Sequence, residues 1–123
     1  MKEELLIIDD DPSMRALLEF ILTRDYFVKV SSSAKSALSW IHQGNIPNLI
    51  ITDARMPQMS GSELITYLKS SLLLRTIPII VLSALEKSQE RLAFYENGAD
   101  EVLSKPFDPA LLDNRVKYLL NKQ

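Results

Sequence analysis

Five polar residues are spaced so that they could do chemistry together: Asp9, Asp10, Asp53, Ser83 and Lys105. Asp9, Asp53 and Ser83 each close an apolar run, Asp10 follows Asp9, and Lys105 ends a short strand-like stretch. Leu5-Leu6-Ile7-Ile8 leads into Asp9-Asp10-Asp11, and Leu49-Ile50-Ile51-Thr52 leads into Asp53. Ile77 to Leu82 leads into Ser83, and Glu101 to Ser104 into Lys105. Clustered carboxylates raise one another's pKa unless a cation relieves them. Three carboxylates without Cys or a nearby His make a hard oxygen donor set, which selects Mg²⁺ (or Mn²⁺) over zinc. A hydroxyl and an ammonium facing such an ion complete a cradle for a phosphoryl group. Phosphoryl transfer needs positioning and charge neutralisation above all, and a carboxylate can serve as its nucleophile. Each residue also has a plainer reading. Asp53 could cap a helix or form a turn, Ser83 could be a loop hydroxyl, and Lys105 a solvated lysine before Pro106. Asp11 is best read as a helix cap. Four such endings at four strand ends are hard to ascribe to chance.

The elements that must position these residues follow from pattern. Apolar runs without alternation suit strands buried on both faces of a parallel sheet. Strands are expected at 5–8, 26–30, 49–52, 77–82 and 101–104. Between them, helical stripes recur: Met14, Leu17, Leu18 and Ile21; Ala34, Ala37, Leu38 and Ile41; Leu64, Ile65 and Leu68; a thin stripe of Leu92 and Tyr95 over roughly Lys87 to Asn97; and Leu112, Val116, Leu119 and Leu120. Pro12 with Ser13, Ser31 to Ser33, and Asp108 with Pro109 read as helix starts, and Gly44 and Gly98 as stops. Pro57 and Gly61 force a loop after Asp53. Five β–α units in alternation imply an α/β, doubly wound parallel sheet with helices on both faces and right-handed crossovers. All strand C-termini then share one edge, where open α/β sheets place their ligands.

Composition narrows the classes. The chain has 123 residues, 46% hydrophobic and 24% charged, with net charge −2. That balance describes one globular domain and makes no electrostatic case for nucleic acid. There is no Cys, hence no disulfide framework or thiolate metal site. No apolar run approaches membrane-spanning length, and the start is no signal peptide. A soluble cytoplasmic protein, with no membrane or direct nucleic-acid contact, is the expectation.

These residues resemble the receiver domains of two-component response regulators over the whole chain. Asp9-Asp10 resembles the family's acidic metal-binding pair. Asp53 with Met56-Pro57 and Gly61 resembles its phosphoacceptor motif, and Ser83-Ala84 its hydroxyl and small residue. Lys105-Pro106-Phe107 resembles its Lys-Pro, whose peptide bond is usually cis, and Gly98-Ala99-Asp100 the approach to the fifth strand. The resemblance implies a flavodoxin-like sheet of order 2-1-3-4-5 and a single receiver domain over 1–123, with no output domain in this chain. It implies a Mg²⁺-dependent phosphoacceptor switch and no foreign substrate, so a signalling module rather than an enzyme, apart from slow self-dephosphorylation. Asp53, Ser83 and Lys105 would carry the phosphoryl chemistry. Asp9, Asp10, Asp53 and the backbone carbonyl of Arg55 would hold the metal. Arg55 and Leu85 would tune the lifetime of the phosphoryl group. The expected partners are a sensor histidine kinase or phosphotransfer protein, and a downstream output domain or protein. One departure stands out: the family often has Tyr or Phe where this chain has Val102, whose short, stiff side chain cannot report state by a large rotation.

The remaining residues carry blander expectations. His42 reads as a solvated helix-end histidine, Trp40 as a partly exposed helix flank, and Met56 and Met59 as loop-shaping. The resemblance places the output face on the fourth helix, fifth strand and fifth helix. In receivers of winged-helix regulators this face forms a symmetric dimer through crossed salt bridges. Arg91, Asp100, Glu101 and Arg115 resemble part of that set, while Leu111 replaces an acidic member. A monomer at rest and a weak dimer, or another partner, on activation is therefore expected. Two rival functions need features of their own. A haloacid-dehalogenase-type phosphohydrolase uses similar groups, but with Asp-x-Asp on the first strand and a cap domain. A nucleotide-binding fold would need a Gly-rich turn after the first strand.

Overall fold

Burial on both faces is what the unbroken apolar runs achieve. The computed structural model describes residues 2–84 and 88–122. Its elements alternate: β1 (Glu4–Ile8), α1 (Pro12–Leu22), β2 (Phe27–Ser31), α2 (Ala34–His42), β3 (Leu49–Asp53), α3 (Gly61–Ser70), β4 (Ile79–Ser83), α4 (Ser88–Asn97), β5 (Glu101–Ser104) and α5 (Pro109–Lys122). The strands form one parallel sheet of order β2-β1-β3-β4-β5. Register runs Ile7 to Ile51, Ile51 to Ile80 and Val81 to Val102. This is the doubly wound, flavodoxin-like arrangement expected.

Successive residues of a strand feed opposite layers. Leu6, Ile8, Ile50, Ile79 and Val81 join Ala37, Ile41, Leu64, Ile65 and Leu68 in a core under α2 and α3. Leu5, Ile7, Leu49, Ile51, Ile80 and Leu82 join Leu18, Leu22, Leu112 and Val116 in a second core under α1 and α5. Helix starts are chemically fastened. The side chain of Asp11 caps α1 by accepting from Ser13 N, Ser33 caps α2, and Asp108 accepts from Ala110 N. Ser60 and Glu63 form a reciprocal capping box at α3. Gly44 and Gly98, with φ of +107° and +116°, close α2 and α4.

Several expected boundaries and faces shift. β2 begins at Phe27, and Tyr26 is buried ahead of it. β4 begins after Pro78, which lacks the N–H a ladder needs. α3 starts at Gly61, which was expected in the preceding loop. On α1, Met14, Leu18 and Ile21 face the core as expected and Leu22 joins them, whereas Leu17 is 45% exposed. In α4, Leu92 (57% exposed) and Tyr95 (38% exposed) do not face the core; Phe94 packs there instead. Leu85 and Lys87 lie outside the described residues. Met56 is buried and Met59 and Trp40 pack partly against the core, as their loop-shaping and flanking roles require.

Candidate phosphoryl and metal site

The parallel sheet delivers Asp9, Asp53, Ser83 and Lys105 to one edge because every strand ends there. Asp9 follows β1 and is 1% exposed. Its backbone is fixed on two sides. Asp9 N donates to Ser31 O at 3.1 Å, and its carbonyl accepts from Arg15 Nη1 at 2.8 Å. Its Oδ1 accepts from Asp11 N at 2.9 Å. Asp53 ends β3, and Ala54 N donates to Leu82 O at 2.9 Å, so the strand pairing continues past the carboxylate. Gly61 folds the following loop back onto this strand end. A Cβ there would lie 2.7 Å from Asp53 O and 3.1 Å from Ala54 O. The loop turns through Gln58, which takes φ +72°.

Lys105 follows β5, held by its own N donating to Ser83 O at 2.8 Å. The peptide bond from Lys105 to Pro106 is cis. Lys105 Nζ donates to Asp53 Oδ1 at 3.0 Å and to Asp9 Oδ2 at 3.3 Å. Asp9, Asp10 and Asp53 each bring a carboxylate oxygen within 4.8 Å of the others, with Asp10 the exposed member. Ser83 is buried, and with Ala84, Ala54, Arg55, Asp53 and Lys105 it lines a cavity of about 190 Å³. Asp9, Asp10, Asp53, Arg55, Ser83 and Lys105 are therefore brought together, with the Arg55 residue exposed.

The electrostatics are unbalanced. Burial holds the Asp53 carboxyl above its ordinary value; Lys105 opposes the rise, and Asp9 and Asp10 add to it. Burial pushes the Lys105 ammonium down, but Asp53 and Asp9 together push it further up. Both groups hold protons more tightly than in water, Asp53 first because of its burial and Lys105 because of the two carboxylates it touches. Three ionised carboxylates against one ammonium leave the site two charges short of neutrality. A divalent cation would supply that charge, and the donor set is all oxygen, which fits Mg²⁺.

Arg15 is a site neighbour that no sequence motif marks. Its signal was positional: a cation near the start of a helix opposes the macrodipole unless something else holds it. The Asp9 carbonyl holds it. His42 is exposed as expected, yet its Nε2 pairs with Tyr67 Oη at 2.9 Å. The four residues expected in crossed salt bridges are engaged within the chain. Arg115 binds Glu101 at 2.7 Å, Arg91 donates to Val102 O, and Asp100 accepts from Ile79 N.

Residues 5–117 match the family described as the response regulator receiver domain. The chain is 33% identical over 120 residues to the response regulator Rre1 of Synechocystis sp., covering 97% of this chain and 52% of that protein. It thus spans about half the length of that relative. Among solved structures, it is similar to the receiver domain of a signal transduction histidine kinase from Syntrophus aciditrophicus. That match has a TM-score of 0.90 and 34% identity, over 98% of this chain and 91% of that one. A Francisella response regulator receiver domain matches with a TM-score of 0.91 and 27% identity, over 98% of both chains.

Proposed function

This chain belongs to the response regulator receiver domain family, and we propose that within it Asp53 is the phosphoacceptor of a Mg²⁺-dependent His-to-Asp phosphorelay. The observation that carries this reading is the Lys105 ammonium shared between Asp53 and Asp9 beside a third carboxylate. Asp9, Asp10, Asp53 and the Arg55 carbonyl would hold Mg²⁺. Bound there, the ion would neutralise charge on the carboxylates and on the incoming phosphoryl oxygens.

The chain's own residues account for the rest. A carboxylate oxygen of Asp53 attacks the phosphorus of a phosphohistidine; the new O–P bond forms as the N–P bond breaks, and the imidazole leaves. Lys105 turns from Asp9 toward the phosphoryl oxygens and neutralises them. Ser83 donates its hydroxyl to a phosphoryl oxygen, and the small Ala84 leaves room for the group. Arg55 and Leu85 set its lifetime. The partners are a sensor histidine kinase or phosphotransfer protein upstream and an output domain or protein downstream, in the cytoplasm. Residues 1–123 act as one receiver unit. The family membership favours this switch over a haloacid-dehalogenase-type hydrolase.

Incubation with acetyl phosphate and Mg²⁺, followed by intact-protein mass spectrometry, tests the reading. One added phosphoryl that requires Mg²⁺ is expected, with no turnover of free phosphomonoesters. Steady hydrolysis of phosphomonoesters would favour the hydrolase.

A further inference from the structure

β5 is an edge strand, and edges leave backbone groups without a strand to pair with. At Val102 those groups are taken by side chains of α4. Val102 N donates to Tyr95 Oη at 3.1 Å, and Val102 O accepts from Arg91 Nη2 at 2.9 Å. The same two side chains reach the flanking residues. Tyr95 Oη donates to Glu101 Oε1 at 3.2 Å, and Arg91 Nη1 to Ser104 Oγ at 3.1 Å. Two residues one helical turn apart thus fasten α4 along the open edge of β5.

Little else holds this helix. None of its described residues is buried, Phe94 alone packs against a core cluster, and Asn97 Nδ2 adds one bond to Ser62 Oγ. A helix attached mainly by a few partly buried polar bonds detaches at modest cost, because water replaces the bonds once it opens. The landing point of the fastening also matters. Ser104 directly precedes Lys105, whose Nζ is shared between Asp53 and Asp9.

We propose that Tyr95 and Arg91 form the latch through which the state of the Asp53 site reaches α4. When Lys105 turns toward a phosphoryl group on Asp53, Ser104 and Val102 move with it. Their bonds to Arg91 and Tyr95 break, and α4 swings away to expose the Tyr95 ring and the β5 edge. The strand position at Val102 therefore needs no ring of its own, because the moving aromatic stands on the neighbouring helix. This inference rests on the reading that Asp53 accepts a phosphoryl group.

Linkage supplies the test. If binding a phosphoryl mimic opens the latch, then weakening the latch must tighten mimic binding by the same factor. Tyr95→Phe removes the hydroxyl and keeps the ring. Its affinity for beryllofluoride with Mg²⁺ should rise by about fivefold or more, because the hydroxyl makes two hydrogen bonds, one of them to a carboxylate. Arg91→Met should move it in the same direction. Affinity for Mg²⁺ alone should stay at the wild-type value in both. Amide shifts of 88–104 in mimic-free Tyr95→Phe should move toward those of mimic-bound wild type. If Tyr95 and Arg91 merely cover an edge, both variants would melt lower with mimic affinity unchanged, and that result overturns the latch alone. If wild type itself fails to bind the mimic, the phosphoacceptor reading falls and the latch with it.

Discussion

Lys105 is the one cation, among the described residues, placed between two of the site's carboxylates, and its removal isolates a carboxylate that has almost no access to water. Asp9 would keep the Asp11 N–H as its side-chain donor and lose the ammonium. Lys105→Ala should therefore lower stability without metal by about 1–3 kcal/mol. Mg²⁺ should recover much of that loss through binding to the folded state alone. Melts with and without Mg²⁺ check this, and equal losses in both conditions would contradict it. Asp53 makes a pH prediction. Its folded carboxyl sits above the ordinary value of 3.8, so the folded state binds that proton more tightly than the unfolded chain. The stability it brings is present below pH 3.8 and lost as pH rises through the folded value. Without metal, the stability of Asp53→Asn relative to wild type should accordingly improve as pH rises from below 3.8 toward neutrality. A difference independent of pH would show that Asp53 carries no such strain. Asp9, Asp53 and Ser83 are legible in sequence because each closes an apolar run, and Lys105 because a short strand-like stretch and Pro106 flank it. Arg15 is not, because its bond to Asp9 O joins a helix face to a strand end, a contact that no periodicity encodes.

Among the elements, the loop from Ala54 to Ser60 shows how a small residue sets the geometry of a site. Pattern alone marked Gly61 as a loop former. The structure gives a different reason: the start of α3 presses against the carbonyls of Asp53 and Ala54. Backbone cannot yield as a flexible side chain does, so Gly61→Ala should cost about 1–3 kcal/mol. It should also weaken Mg²⁺ binding, since the displaced strand end carries Asp53. Calorimetric titration with Mg²⁺ would settle the second point; an unchanged affinity in a destabilised protein would separate fold from site. Helix faces were less legible than strands. A strand buried on both sides needs only an apolar run, as in Leu49 to Thr52. A helix face depends on which neighbour covers it. Leu92 and Tyr95 read as an inward pair, yet α4 lies along the edge strand, where little of the sheet remains to cover them. Tyr95 therefore belongs to the expected helix but not to its apolar stripe, because its hydroxyl, and not its ring, makes the attachment.

For the whole molecule, charge and association are the testable properties. The Tyr26 phenol, at the entry to β2, is pushed up to about 12, first by burial and then by Asp113, Asp25 and Glu3. A raised pKa means the stability it contributes is complete below pH 10 and is lost as pH rises through about 12. Tyr26→Phe should flatten that part of the alkaline unfolding profile, and an unchanged profile would argue against a folded-state phenol so placed. Arg115 and Glu101 already satisfy each other within the chain. A second copy would have to break that partly buried pair to form a crossed one, and a crossed pair at an exposed surface is worth at most about 1 kcal/mol. Sedimentation velocity should therefore find a monomer without beryllofluoride and at most a weak dimer with it. The proposed phosphoacceptor is the carboxylate that Lys105 holds at 3.0 Å, Asp53. Reduction of an aspartyl phosphate with borohydride converts that residue to homoserine, which peptide mass spectrometry locates. After acetyl phosphate and Mg²⁺, we predict homoserine at position 53 and at no other, and none in Asp53→Asn. Homoserine at position 9 or 10 in the wild type, or equal phosphoryl labelling of Asp53→Asn, would contradict the account.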